Sequence, residues 1–211
     1  MQVLKGRREG GPSGMRVEDL KGWLREAKRK KNPVRRRWYL VVQLVQVTFG
    51  GGTVMEDISW AMMVLIPKGK GEYWGIRLVE VLWKVCSLVV NCLLKQSIML
   101  HDALYGFREG RGEGTATLEA NLKQQLTRLS HDPLFQVFLD VRKVYESPDR
   151  VQCLEILRRY GLGQNLSRLL KNYWKRQRVV PKAGKFLETS FEIGRGVTQG
   201  DPASPTINTS A

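Results

Sequence analysis

Cysteine and histidine are scarce in this chain. Three cysteines (Cys86, Cys92, Cys153) and two histidines (His101, His131) are spread over 211 residues with no metal-ligand spacing. That argues against a zinc site and against a disulfide framework, and it points to an intracellular chain, in the nucleus or cytoplasm. Long apolar runs are missing too. The stretches "SLVV" and "CLL" are broken by Asn91 and Lys95 and are too short to span a bilayer, so no membrane partner is expected. The charged, glycine-rich N-terminus has no apolar h-region, which excludes a signal peptide. Acid is the last shortage. Against 35 Lys+Arg stand 20 Asp+Glu, a net charge of +15. Such a balance suits a polyanionic partner, most often nucleic acid, although a solvated basic surface explains the count equally well.

The charge is not spread evenly. Residues 1–37 carry 13 Lys+Arg and 4 Asp+Glu, a local excess of +9. Lys28, Arg29, Lys30, Lys31, Arg35, Arg36 and Arg37 form its densest part, a nucleic-acid tail or else a linker or localisation signal. The "GRREGGPSG" start reads as disordered.

With 42% hydrophobic residues the chain can fill one sizeable core or part of a larger one. Helical spacing links Leu20, Trp23, Leu24 and Ala27, and again Trp38, Val41, Val42, Val45 and Phe49 before a "GGG" stop. "WAMMVLIPKGKG" reads as a short buried strand entering a Lys/Gly loop. A long helix is expected from about Leu78, with Val81, Leu82, Val85, Leu88, Val89, Cys92 and Leu93 on its apolar side. After the basic loop "YGFREGRGEG", Leu118, Leu122, Leu126 and Leu129 mark another helix. "LFQVFL" then reads as a buried strand that ends in Asp140. Ser147 is the expected N-cap of the next helix, with Pro148 in its first turn and Gly161 at its end. Leu166, Leu169, Leu170, Tyr173 and Trp174 mark a further helix. Residues 178–193 read as a β-hairpin turning near Ala183–Gly184, and "GRGVTQGDPASPTINTSA" begins as a loop. The order implies an α+β fold.

A single acid at the end of an apolar strand is usually a turn or cap residue. It gains a second meaning in phosphoryl transfer, where two divalent ions about 3.5–4 Å apart activate the attacking oxygen and neutralise the leaving phosphate. Magnesium takes hard carboxylate oxygens, and a buried strand aims the first of them. An aromatic five residues on, Tyr145, could lie under the incoming sugar.

These residues resemble a known family. "FLDVRKVYESPDR", "GFREGRGEGTATLEANL", "VLIPKGKGEYWGIRLVEVLWKV" and "GRGVTQGDPASP" are similar to four segments of reverse transcriptases of the non-LTR retrotransposon type. The resemblance runs from about Met15 to Ile207. It implies helical fingers over 51–132 and an incomplete palm over 133–211 of a right-hand polymerase, following the disordered tail over 1–15 and the basic helical segment over 16–50 that composition and periodicity give. It implies template-directed addition of deoxynucleotides to a 3′ hydroxyl, with magnesium as cofactor and an RNA template, a DNA primer and deoxynucleotides as partners; the oligomeric state stays open. By the same resemblance Asp140 is the first metal ligand and catalytic acid, and Tyr145 the gate against a 2′-hydroxyl. Gln199 and Gly200 position the template base and nucleotide, and Pro202, Ser204 and Pro205 shape their loop. Lys68, Lys70, Arg108 and Arg111 contact template or triphosphate. Three departures stand out. Trp74 takes the place of the usual Arg, with Arg77 three positions on, and Glu146 replaces the usual Asp. The Tyr-x-Asp-Asp segment that would add metal ligands does not occur in the 211 residues, so the chain reads as truncated before it and inactive alone. Two other readings remain: a non-catalytic RNA-binding remnant, and a structural or partner-binding fragment.

Overall fold

The computed structural model describes residues 11–28, 35–183, 186–187 and 189–210. Its first helix, α1 (Val17–Ala27), packs on α2 (Arg35–Gly51). The start of α1 is closed by Asp19, whose carboxylate accepts from the Arg16 N–H at 2.8 Å. Val17, Leu20, Val41 and Val81 form a small buried cluster between these helices and the rest of the chain. Residues 11–15, inside the stretch expected to be disordered, fold as a turn. Buried Glu80 accepts from the Ser13 N–H at 2.7 Å and from its hydroxyl at 2.6 Å.

A short helix, α3 (Glu56–Ser59), leads into β1 (Trp60–Gly69) and β2 (Glu72–Val79). The expected short strand therefore runs on into an antiparallel hairpin, turning through Gly69, Lys70 and Gly71, all with positive φ. Ala61 and Met62 are buried, whereas Leu65, Ile66, Tyr73 and Trp74, nearer the tip, are exposed.

The helix expected from about Leu78 is α4 (Val81–Ser97). Its main face differs from the expected one. Trp83, Cys86, Val90 and Leu94 enter the main core, and Val89, Cys92 and Leu93 are exposed. Leu82, Val85 and Leu88 pack on the cluster under α1 and α2. A helix with apolar residues on two sides shows no single stripe, so periodicity found the side that packs under α1 and α2 and missed the one that enters the main core.

α5 (Glu113–Ser130) forms where expected, but it buries none of its residues, and Leu118, Leu122, Leu126 and Leu129 are all exposed. The buried strand expected over "LFQVFL" is absent. Residues 132–141 form no strand, and Phe135 and Phe138 are 90% and 88% exposed. The physical reason is the lack of a neighbour. A strand needs a partner for its N–H and C=O groups, and none of the described strands pairs with this segment.

The cap of α6 (Arg150–Arg159) lies two residues later than expected. Asp149, not Ser147, is the N-cap, accepting from the N–H groups of Val151 at 2.8 Å and Gln152 at 3.2 Å. The Ser147 hydroxyl turns back to the Lys143 carbonyl at 2.9 Å. Gly161 ends that stretch with φ +89°, as expected. α7 (Gln164–Arg176) buries Leu169, Leu170, Tyr173 and Trp174. β3 (Arg178–Ala183) then lies parallel to β1, with Trp60 opposite Arg178. β4 (Phe186–Leu187) and β5 (Phe191–Glu192) both pair antiparallel with β3, so the expected hairpin is present, although residues 184–185 at its turn lie outside the described residues. Residues 193–203 form the expected loop, and α8 (Ser204–Ser210) follows. The fold is α+β: helices around a small sheet of order β2-β1-β3-β4, with β5 beside β3. At its centre the rings of Trp83 and Tyr173 stack, with centroids 3.5 Å apart and 7° between planes.

Candidate functional site

Tyr145 lies in a tight turn. Lys143 holds φ +54°, and the Glu146 N–H donates to the Lys143 carbonyl at 2.8 Å. The loop over 193–203 returns beside that turn. The Val197 N–H donates to the Tyr145 carbonyl at 2.8 Å, and the Gly196 N–H donates to the Pro148 carbonyl at 2.9 Å. Gly196 has φ +77°, and a Cβ there would lie 2.5 Å from the Tyr145 carbonyl oxygen. Further along, Gly200 has φ +100°, and its Cβ would lie 2.6 Å from the Arg77 carbonyl oxygen of β2. The turn at Tyr145, the Gln199–Gly200 loop and the edge of β2 thus meet, although some fifty residues or more separate each from the next in sequence. Tyr145 is half-buried against the main core, and burial pushes its phenol up.

Gly200→Ala should be costly for two reasons, the left-handed φ and the clash with the Arg77 carbonyl. We expect a loss of roughly 1–3 kcal/mol in urea unfolding. A neutral effect would show that the loop does not lie against β2.

The loop is anchored from beneath. Asp201 is buried and accepts from Trp83 Nε1 at 3.1 Å and from the Ser87 hydroxyl. Burial pushes its carboxyl up, while the Ser87 and Trp83 hydrogen bonds pull the other way. Thr198 Oγ1 accepts from the buried Gln177 amide. Arg150 donates to the carbonyls of Trp174 at 2.9 Å, Ile193 at 2.6 Å and Gly196 at 2.8 Å, and to Gln177 Oε1 at 2.6 Å. Its burial lowers the guanidinium to about 10. Arg77 behaves differently. Its Nη1 is buried and has no hydrogen-bond partner among the described residues. Burial lowers its pKa, and Glu146 acts in the opposite sense. Trp74, by contrast, sits exposed toward the hairpin tip.

The remaining expected residues are dispersed. Pro202 is half-buried in the loop, and Ser204 is buried at the start of α8. Lys68 and Lys70 are exposed near and at the β1–β2 turn. Arg108 donates to the carbonyls of His101 at 2.9 Å and Leu104 at 3.2 Å, and Arg111 pairs with Asp102 at 2.9 Å. Both guanidiniums therefore brace their own loop. In the basic segment, Lys28 is exposed, and Arg37 is exposed with its guanidinium 6.0 Å from the Trp23 ring centroid. Arg35 and Arg36 fall in the first turn of α2, and Arg29, Lys30 and Lys31 lie outside the described residues.

Asp140 is exposed within the unpaired segment. No group of three or more His, Cys, Asp or Glu side chains that could hold a metal ion occurs among the described residues. Magnesium needs more hard oxygens than one exposed carboxylate offers, so these residues do not fit the ion. Nor is any helix among the described residues long and apolar enough to cross a membrane.

Arg150, Gln177, Trp83 and Asp201 have no place in the expected site. One local signal existed. Trp83 and Ser87 are four residues apart on α4, and a serine on the apolar side of a helix asks for a buried partner. Arg150 carried no such signal.

No family model matches the chain. Over 103 residues, 47% of its length, it is 31% identical to a retrovirus-related Pol polyprotein from the type-1 retrotransposable element R2 of Nasonia vitripennis. That stretch covers 10% of the relative, so the chain matches a small part of a much longer protein. The similarity relates the chain to retrotransposon proteins.

Proposed function

We propose that these residues are the fingers and part of the palm of a reverse transcriptase of the non-LTR retrotransposon type. The reaction of such enzymes is template-directed addition of deoxynucleotides to a 3′ hydroxyl. The observation that carries the reading is the meeting of the Tyr145 turn with the loop bearing Gln199 and Gly200, joined by the Val197–Tyr145 hydrogen bond at 2.8 Å. Both segments resemble the family, and the similarity to a retrotransposon Pol polyprotein supports the same class. In this reading the half-buried Tyr145 ring faces the sugar, and Gln199 and Gly200 face the base pair. The exposed run over 134–139, which forms no strand among the described residues, would in this reading become one only beside a partner strand.

A second reading has its own observation. Asp140 has no carboxylate cluster around it among the described residues, which suits a chain that binds RNA without extending a primer. Both readings require nucleic-acid binding, and a structural fragment does not. Each Lys or Arg that neutralises a phosphate steepens the log–log salt dependence of binding by roughly one unit. Replacing Arg35, Arg36 and Arg37 together by Ala should flatten the slope for a primed RNA template, measured between about 50 and 200 mM salt. An unchanged slope would remove this segment from the interface, and no salt-dependent binding at all would leave only the structural fragment.

A further inference from the structure

The loop that carries Gln199 and Gly200 is held at two points, one on each side of that pair. On one side, Thr198 is buried and its hydroxyl accepts from Gln177. Gln177 is itself buried, donating also to the Tyr173 hydroxyl at 3.2 Å and accepting from Arg150 at 2.6 Å. On the other side, Asp201 reaches α4. Trp83 and Ser87 stand one helical turn apart and donate to its two carboxylate oxygens. The Ser87 hydroxyl also accepts from the Ala203 N–H at 3.0 Å, so one side chain grips the loop twice. The two anchors share one packed base, the stacked rings of Trp83 and Tyr173. Between them the Asp201 N–H donates to the Thr198 carbonyl at 3.1 Å and closes a turn. Burial falls between the anchors: Gln199 is half-buried and Gly200 exposed.

The residue type follows from the donors. An indole N–H can only donate, and the Ser87 hydroxyl, which accepts from the Ala203 N–H through a lone pair, still has its O–H to give. Both aim at Asp201. A carboxylate accepts at every lone pair, whereas an asparagine of the same shape would turn an NH₂ group toward one of the two donors. A buried donor left unmatched costs more than an ordinary hydrogen bond contributes.

We propose that Asp201 is a positioning residue, whose buried carboxylate fixes the 198–201 turn to α4 so that Gln199 and Gly200 are presented in one geometry. The inference rests on the reading of Gln199 and Gly200 as nucleotide-facing. It assigns Asp201 no contact with substrate or metal.

The test is hydrogen exchange on the whole 211-residue chain, read peptide by peptide, for wild type, Asp201→Asn and Ser87→Ala. Loss of the anchor should speed exchange of the amides over 196–204 by roughly tenfold or more, with protection in α6 and α7 unchanged. Ser87→Ala removes one donor from the helix side and should give the same local signature, which decides the matter if Asp201→Asn fails to fold. Unchanged loop exchange in both variants would overturn the proposal. So would an equal loss of protection throughout the core, which is the mark of a purely structural role. A parallel arm measures photocrosslinking of a deoxynucleoside triphosphate to residues 199–200. Asp201→Asn should lower the yield while the core stays protected. If the loop loosens as expected but wild type never crosslinks there, the positioning role stands and the nucleotide-facing reading falls.

Discussion

Arg150→Met is expected to destabilise the chain by about 3–5 kcal/mol, because several acceptors lose a charged donor together and each buried group left unsatisfied costs roughly 1–3 kcal/mol. Methionine fills similar space but donates nothing. It would strand the carbonyls of Trp174, Ile193 and Gly196 and the Gln177 side-chain oxygen, which Arg150 now satisfies together. Trp174 is in α7, Gln177 directly follows that helix, and Ile193 and Gly196 come after β5, so one guanidinium ties the end of α7 and the loop to the start of α6. Arg150→Lys should recover only part of the loss, since an ammonium has three donors and no planar fork. Urea midpoints of the three chains give the comparison. A loss below about 1 kcal/mol for Arg150→Met would mean that water satisfies these carbonyls.

The double substitution Phe135→Glu with Phe138→Glu should abolish concentration-dependent self-association and leave unfolding stability unchanged. Two phenylalanines exposed at 90% and 88% present roughly 300–400 Å² of apolar surface. Covering it is worth roughly 7–10 kcal/mol at about 25 cal/mol per Å². The adjoining segment keeps its backbone groups unpaired, a further invitation to other chains. Sedimentation velocity over a range of concentrations reads the association, and urea unfolding reads the stability. A marked loss of stability would show that these rings are buried in solution. A wild-type chain that stays monomeric would show that the exposed run recruits nothing.

Local signals in the sequence were reliable where one residue or one face decides the structure. Gly161 ends its helix in the left-handed region, and Leu169, Leu170, Tyr173 and Trp174 bury together on α7. The Gly/Pro-rich stretch after Ile193 begins as a loop. Signals failed where the outcome depends on distant partners. "LFQVFL" has the composition of a buried strand, but composition does not supply a neighbouring strand. β2 escaped notice because Glu72, Gly75 and Arg77 interrupt its apolar residues. Asp149 and Ser147 are both good caps, and choosing between them required knowing where the backbone turned. At the candidate site, the resemblance singled out Tyr145, Gln199 and Gly200, whose segments meet in the fold. Their supports were not legible, because Arg150, Gln177 and Asp201 hold the loop and its base across 21 to 118 residues of sequence. Arg77 is an intermediate case: the resemblance drew notice to it, and its buried Nη1 was not visible in the sequence.

The central claim is that the Tyr145 turn and the Gln199–Gly200 loop face a nucleotide at the end of a primed template. Photocrosslinking with mass-spectrometric mapping tests it most directly. The chain is bound to a primed RNA template carrying a photoreactive base at the first unpaired template position, irradiated and digested. The account predicts crosslinks at Tyr145 and within residues 196–200, lost when Gly200→Ala displaces the loop. Crosslinks confined to the basic segment around residues 28–37 would contradict it and leave a chain that holds RNA without addressing its primer end.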